Sequence, residues 1–231
     1  MKKNQREALK KKRMKVSHKN KFGEMLRPFG PCIAKIIIPK DIIKKLNVHV
    51  DLVIKDKEKS KKLDHGKKLA GNVQQEFKLE EDIIKTSGWG DFLTQGAASW
   101  IYNSSGKKVT KFTIIDSWIV RQFKNEYNPI HWHSGHISGV GYLKVPSNLG
   151  KTYQENKRDN NNGKLVLVHG SKMFLNNSTF KISPKVGEFY FFPNYLMHTV
   201  YPFFNTDEER RSISFNAYVD DNIYNVYEGS E

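Results

Sequence analysis

A succession of short β-rich segments, separated by turn residues, occupies the chain after residue 110 and constrains its fold more than any other feature. The segments are rich in β-branched and aromatic residues, and Asn, Asp, Gly and Pro stand between them. The predicted strands are 111–120, 137–145, 164–168, 179–182, 188–192, 199–203 and 212–219. Many short strands of this kind are typical of a β-sandwich or barrel. We therefore predict that this part of the chain is mainly β.

The part of the chain before residue 111 is predicted to be largely helical. A short strand is expected over 32–38, and a helix is expected to begin at Pro39, because apolar residues then recur at helical spacing. A second helical region covers 80–102 and is interrupted at Gly88-Trp89-Gly90, which predicts two separate helices. The expected fold class is mainly β with N-terminal helices on one side of the sheets.

The positive charge is concentrated at the N-terminal end of the chain, which distinguishes a tail from the rest. The net charge is +15, from 39 Lys and Arg against 24 Asp and Glu, and residues 1–25 hold more than half of it. This segment has too few bulky apolar residues to bury a core, so we predict a basic flexible tail over 1–25 and a single domain over 26–231, with an α-rich part over 26–110. The tail fits a nucleic-acid arm, a nuclear-import signal or a solvated segment.

Composition also excludes several classes of protein. A single cysteine, Cys32, excludes an internal disulfide framework and fits a reducing compartment. The chain has no apolar stretch long enough to cross a membrane and no secretory signal, so we expect a cytoplasmic protein. The basic balance excludes an acidic disordered regulator and favours an anionic partner, either nucleic acid or a small anion.

Histidine spacing points to a metal site. His131 and His133 project to the same side if the chain is extended there, and two imidazoles so placed can chelate one metal ion. His198, which follows a strand–turn pattern, is the candidate for the third ligand. His136 is an alternative to His133, although its distance from His131 has the wrong parity for a strand.

Two carboxylates are alternative candidates for a metal ligand in place of a histidine. Asp116 lies in the strand before the histidines, and Glu188 opens the strand before His198. Neither stands two residues after His131, the position that His133 occupies. Three histidine ligands suit zinc, and copper or nickel as well.

The last predicted strand presents an anion-binding pattern. Arg210, Ser212 and Ser214 alternate with apolar residues, so they share one face of the strand together with Asn216. A guanidinium with nearby hydroxyls suits a carboxylate. Arg210 is the preferred anion-binding residue, and Arg211, on the opposite face, is the fallback.

These motifs, in this order, resemble the iron(II)/2-oxoglutarate-dependent oxygenases over residues 112–219. The similarity is greatest to an uncharacterised subgroup that reads H-x-H-P, SGVYYL, FPSWLxH and RISISFN. The matching residues are H-x-H at His131 and His133, SGVGYL at 138–143, Phe192-Pro193 before His198, and R-x-S-x-SFN from Arg210 to Asn216.

The resemblance implies a double-stranded β-helix, a jelly-roll or cupin-like barrel, as the core over residues 111–219. It implies that His131 and His198 are iron ligands, with His133 where most such enzymes have an Asp or Glu. Tyr142 and Arg210 then bind the co-substrate, 2-oxoglutarate, with Ser212 and Ser214 beside them. No catalytic residue beyond the metal ligands is implied.

The implied reaction uses O2 and 2-oxoglutarate to oxidise a C–H bond of an unidentified substrate, and it releases succinate and CO2. Two alternatives stay open from the sequence. One is a basic jelly roll that binds nucleic acid through its tail. The other is a cupin-like three-histidine metalloenzyme that does not use 2-oxoglutarate. Neither the substrate nor the oligomeric state follows from the sequence.

Overall fold

Two antiparallel sheets form the centre of the protein. A computed structural model describes residues 23–26, 30–152, 157 and 159–226, so the predicted basic tail lies almost wholly outside the described residues. The strands of the described part are β1 (Glu24–Leu26), β2 (Ile33–Ile37), β3 (Gln75–Lys78), β4 (Phe112–Gln122), β5 (Asn128–His131), β6 (Ile137–Lys144), β7 (Leu165–Val168), β8 (Thr179–Ile182), β9 (Glu188–Pro193), β10 (Met197–Val200) and β11 (Arg210–Val219). Its helices are α1 (Lys40–Lys55), α2 (Lys57–Leu63), α3 (Glu81–Thr86), α4 (Trp89–Ser105) and α5 (Asp221–Tyr224), with a 3-10 turn at Gly66–Lys68.

The chain winds back and forth between the two sheets. The larger sheet has the order β1-β2-β9-β6-β11-β4-β3, and the smaller has the order β5-β10-β7-β8. Strands β4, β6, β9 and β11 lie in the larger sheet, and β5, β7, β8 and β10 lie in the smaller one. This is the double-stranded β-helix, or jelly roll, and it confirms the fold class predicted from the sequence.

Three strands, β1, β3 and β5, were not predicted, and β3 and β5 were missed because their sequences lack strand character. β5 begins Asn128-Pro129, which reads as a turn, but proline is tolerated at the edge of a sheet, and β5 is an edge strand. β3 has the polar sequence Gln-Glu-Phe-Lys and pairs with β4 at the other sheet's edge. Pairing with a neighbour, and not propensity, makes both segments strands.

The helices cover the outer face of the larger sheet. On β11, Ile213, Phe215 and Ala217 are buried against α1 and α4, whereas the alternate residues face the smaller sheet. α4 begins after Gly88 and ends at Gly106, both with positive φ, so the predicted interruption at Gly88-Trp89-Gly90 separates α3 from α4 as expected.

The N-terminal part is built into the jelly roll. β2 pairs with β9 and β3 pairs with β4, so both edges of the larger sheet consist of strands from before residue 111. Arg211 of β11 donates to Asp51 of α1 at 2.7 Å and to Asn47 Oδ1 at 2.9 Å. In the part of the chain described, no helix is long and apolar enough to cross a membrane.

Candidate metal and co-substrate site

Three histidines converge at one end of the smaller sheet. His131 is the last residue of β5 and lies directly opposite His198, the second residue of β10. His133 follows β5 and is tied to the turn before β10, because its N–H donates to the Asn194 carbonyl at 3.0 Å. One ligand atom from each of the three imidazoles lies within 4.8 Å of the others.

Hydrogen bonds orient two of these rings. His131 Nδ1 lies 2.7 Å from the Pro129 carbonyl, and His198 Nδ1 lies 2.9 Å from the Leu196 carbonyl. A carbonyl can only accept, so each Nδ1 carries the proton and each Nε2 keeps a lone pair. Backbone contacts of this kind fix the tautomer of metal-binding histidines.

The spacing and protonation of the cluster suit a metal ion. His133 Nε2 and His198 Nε2 are 3.1 Å apart, close to the separation of about 3.0 Å for two ligands at right angles with bonds of about 2.1 Å. Burial lowers the pKa of His133 to about 2, with further lowering by His198 and His131. Burial likewise lowers the pKa of His198 to about 3 and also lowers that of His131. The rings are therefore neutral at pH 7, as metal ligands must be.

Arg210 lines the same cavity as the three histidines and supplies a buried cation there. Arg210 is 1% exposed and donates to Gln122 Oε1 at 2.6 Å. Its Nε and Nη2, and the hydroxyl of buried Tyr142, have no hydrogen-bond partner in the described structure. The Arg210 guanidinium lies 5.0 Å from the centre of the Tyr142 ring.

This arrangement fits the binding of a carboxylate. A buried charge without a counter-ion is costly, and burial lowers the pKa of Arg210 for that reason. A carboxylate placed there would satisfy the free guanidinium N–H groups and the Tyr142 hydroxyl together. Ser212 and Ser214 line the cavity on the same strand as Arg210.

The other candidates lie away from this cavity. Arg211 faces the helices and forms ion pairs with Asp51 and Glu209. The ring of His136 stacks on Tyr224 at a centroid distance of 3.9 Å, and its Nδ1 accepts from the backbone N–H of Val219.

Neither of the two carboxylates considered as ligands joins the histidine cluster. Asp116 forms an ion pair with Lys78, and Glu188 accepts from the Tyr190 hydroxyl at 2.6 Å. Within the described residues, the candidate metal site therefore consists of imidazoles alone.

Sequence reasoning missed Gln122 and Glu76. Gln122 is the register partner of Arg210 and its hydrogen-bond acceptor, which only strand pairing reveals. Glu76 on β3 is 1% exposed, and neither carboxylate oxygen has a hydrogen-bond partner in the described structure. Burial, with Asp64 and Glu126 nearby, raises its pKa to about 7.

Comparisons with known proteins agree with this geometry. A family model described as "Putative 2OG-Fe(II) oxygenase" matches residues 116–216.

A prolyl-4-hydroxylase from Pseudomonas putida is 12% identical with a TM-score of 0.52, and the similarity covers 80% of this chain and 91% of that one. The non-heme, alpha-ketoglutarate-dependent epimerase SnoN, from nogalamycin biosynthesis, is 14% identical with a TM-score of 0.54 over 81% of this chain and 76% of its own. HygX from Streptomyces hygroscopicus, solved with nickel and 2-oxoglutarate bound, is 9% identical with a TM-score of 0.50, covering 80% and 81%. No curated protein matches the chain by sequence.

The family match confirms the resemblance of this sequence to the 2-oxoglutarate/iron(II) oxygenases. Because these solved structures are less than 25% identical to the chain, the similarity shows only that they have the same jelly-roll fold. The predicted enzyme class and cofactors, iron(II) and 2-oxoglutarate, are confirmed by the family match and agree with the histidine cluster.

Proposed function

We propose that this iron(II)- and 2-oxoglutarate-dependent oxygenase hydroxylates a C–H bond of its substrate. O2 and 2-oxoglutarate are consumed, one oxygen atom enters the substrate, the other enters succinate, and CO2 is released. The observation that carries the proposal is the convergence of three neutral imidazoles in the same cavity as a buried arginine whose Nε and Nη2 have no hydrogen-bond partner among the described residues.

The proposed metal ligands are His131, His133 and His198. When bound there, iron(II) supplies the redox chemistry that activates O2. The three imidazoles contribute no negative charge, so the dication keeps its full formal charge until an anionic co-substrate arrives. The orienting carbonyls of Pro129 and Leu196 hold two of the rings with Nε2 towards the cavity.

The proposed co-substrate anchor is Arg210, helped by Tyr142. 2-Oxoglutarate has two carboxylates, so one can pair with Arg210 while the other end of the molecule lies near the histidines. Ser212 and Ser214 line the cavity on the same strand face and offer hydroxyl groups. Trp118, Phe192 and Val200 close the cavity with apolar side chains, which exclude water and strengthen the pairing of charges.

The buried cation favours this reaction over a three-histidine metalloenzyme that works without 2-oxoglutarate. Such an enzyme has no use for an arginine that is 1% exposed and lacks partners for two of its three guanidinium nitrogens. The nucleic-acid alternative depends on the basic tail, which lies outside the described residues.

The test is the binding of 2-oxoglutarate to the iron(II)-loaded protein without oxygen, measured by calorimetry. The unmodified protein should bind it, and Arg210→Ala should weaken binding by about 30-fold or more, as expected when a buried charge loses its partner. Arg121→Ala is the matched control, because Arg121 pairs with Glu209 and does not line the cavity. Iron-loaded protein that does not bind 2-oxoglutarate, or an Arg210→Ala variant that binds it equally well, would contradict the proposal.

A further inference from the structure

The hydrogen-bond acceptor that the fold supplies to Arg210 is an amide and not a carboxylate. Gln122 on β4 is the register partner of Arg210 on β11, and both side chains are 1% exposed. Gln122 Oε1 accepts from Arg210 Nη1 at 2.6 Å. No aspartate or glutamate of the described chain lines the cavity beside this pair. The buried guanidinium therefore has a polar partner but no counter-charge among the residues that line its cavity.

Two neighbouring arginines are paired in the usual way. Arg121 on β4 and Arg211 on β11 each pair with Glu209 at 2.7 Å. A carboxylate partner compensates the charge of a guanidinium that is removed from water. Because the chain places a carboxylate beside both of these arginines, the amide beside Arg210 needs a separate explanation.

The orientation of the Gln122 amide is fixed by its other contacts. Its Nε2 donates to the backbone carbonyls of Glu126, in the turn after β4, and of Tyr201, directly after β10. A carbonyl can only accept, so the amide nitrogen lies on that side and Oε1 faces Arg210. The side chain cannot turn over without breaking these hydrogen bonds, and it therefore holds Arg210 Nη1 in a defined place.

Fixing Nη1 leaves one particular edge of the guanidinium for a ligand. Arg210 Nε and Nη2 have no hydrogen-bond partner in the described structure. These two nitrogens form the edge that can donate two parallel hydrogen bonds to a carboxylate. Ser212, the next residue on the same face of β11, lines the cavity together with Arg210. The edge that Gln122 leaves free thus matches a planar carboxylate.

A carboxylate at position 122 would suit the fold better than an amide. A buried charge without a counter-charge is costly, so stability alone favours an acidic side chain beside Arg210. That side chain would form an ion pair with the guanidinium, and an incoming carboxylate would have to compete with it. An amide avoids the competition, because it accepts a hydrogen bond without bringing a negative charge.

We infer that Gln122 is a positioning residue, a neutral partner that orients Arg210 and leaves its charge for a carboxylate of 2-oxoglutarate, which deepens the proposed function and rests on it. Gln122 acts only through Arg210, because it does not itself line the cavity. The affinity for the co-substrate then depends on the absence of charge at position 122.

Two substitutions of Gln122 separate charge from shape, with the affinity of the iron(II)-loaded protein for 2-oxoglutarate measured by calorimetry without oxygen. Gln122→Glu keeps the size and an acceptor but adds a negative charge, so it should weaken binding by about 30-fold or more. Gln122→Met removes the acceptor without adding charge, so binding should stay within about tenfold of the unmodified protein. A residue that only filled space would give the reverse order, because glutamate resembles glutamine more closely than methionine does.

Gln95→Glu is the matched control, because it adds the same charge at an exposed position of α4. It should leave the affinity for 2-oxoglutarate unchanged. Binding of nickel(II) by each variant, measured without 2-oxoglutarate, shows whether the three histidines are still assembled in the folded protein.

Ser212 allows a second comparison that leaves Gln122 and its hydrogen bonds intact, in case Gln122→Glu does not fold. Ser212→Asp adds a carboxylate on the Arg210 face of β11, and Ser212→Asn adds an amide of the same size there. The aspartate variant should bind 2-oxoglutarate at least about tenfold more weakly than the asparagine variant, because only the aspartate compensates the charge of Arg210.

Equal or tighter binding of 2-oxoglutarate by Gln122→Glu than by Gln122→Met, or by Ser212→Asp than by Ser212→Asn, would overturn the role of Gln122. Iron-loaded unmodified protein that does not bind 2-oxoglutarate would instead contradict the proposed function. Binding that is lost in Arg210→Ala but kept in Gln122→Glu would leave the proposed function in place and remove only the role of Gln122.

Discussion

At the scale of single residues, Tyr142 differs from an ordinary buried tyrosine. Its ring is fully buried beside Arg210, yet its hydroxyl has no hydrogen-bond partner in the described structure. A buried hydroxyl without a partner costs free energy, so the fold gains nothing from it. Its position beside a buried cation makes it a ligand-binding group in the proposed function.

Tyr142→Phe should therefore separate binding from stability. We expect the affinity for 2-oxoglutarate to fall by about tenfold, the cost of one hydrogen bond to a charged group, while the melting temperature is unchanged or rises. Calorimetry and thermal unfolding measure the two effects. Tyr190→Phe is the control, because its hydroxyl donates to Glu188 and it does not line the cavity. A stability loss in Tyr142→Phe with unchanged binding would contradict this assignment.

Glu76 makes the free energy of unfolding depend on pH. Its pKa of about 7 in the folded protein exceeds its ordinary value of 4.5, so the folded state holds the proton more tightly than the unfolded state. The free energy of unfolding should therefore fall as the pH rises from 4.5 to 7 and stay low above that.

Glu76→Gln should remove this loss of stability at high pH. We expect the variant to be more stable than the unmodified protein by about 3 kcal/mol at pH 8, and nearly equal to it at pH 4.5, where Glu76 is protonated in both states. Urea unfolding at both pH values measures the difference. Glu58→Gln, at an exposed site on α2, should show no such dependence. A Glu76→Gln variant that is less stable at pH 8 would show that the carboxylate has a stabilising partner.

At the scale of secondary-structure elements, α4 lies unusually close to the larger sheet. A Cβ atom added at Gly96 would come within 2.8 Å of Ile36 Cδ1 and of the Phe191 ring. The isoleucine tip can move, but the ring packs against Trp100, Phe189 and Phe215. Gly96 is thus present for the close approach of helix and sheet, despite its poor helix propensity.

Gly96→Ala should destabilise the protein by about 1–2 kcal/mol, because overpacking outweighs the gain in helix propensity. Chemical denaturation measures the change. Thr94→Ala, on the exposed face of the same helix, should not lower stability. An increase in stability for Gly96→Ala would mean that α4 can move away from the sheet at little cost.

At the scale of the whole molecule, the jelly roll and the preceding segment share one core. Phe189, Phe191 and Phe215 of the larger sheet are buried with Leu93 and Ala97 of α4. β2 and β3 also pair with strands of the jelly roll on its two sides. We propose on these grounds that residues 26–231 form a single domain, as predicted from the sequence.

A chain of residues 111–231 alone should fail to unfold cooperatively, because it exposes the aromatic face of the sheet and two unpaired edges. A chain of residues 23–231 should retain a single cooperative transition. Near-ultraviolet circular dichroism during heating distinguishes the two results. Cooperative unfolding of the shorter chain would show that the α-rich part is a separate domain.

The sequence by itself determined what depends on local periodicity. Side chains on a strand alternate between its faces, so the spacing alone put Arg210, Ser212 and Ser214 together and directed Arg211 to the other side. The resemblance carried by the motif order also implied the jelly roll and the oxygenase class. β5 escaped prediction because its Asn-Pro start is unfavourable in a strand except at an edge.

Only the tertiary structure decided which distant groups meet and which lack partners. The register between β5 and β10 brings His198 opposite His131, and the register between β4 and β11 places Gln122 where it accepts a hydrogen bond from Arg210. Whether a buried polar atom is satisfied depends on every element packed around it, and no local pattern records that. For the same reason the two Arg210 nitrogens without a partner and the Glu76 carboxylate without a partner became visible only in the folded chain.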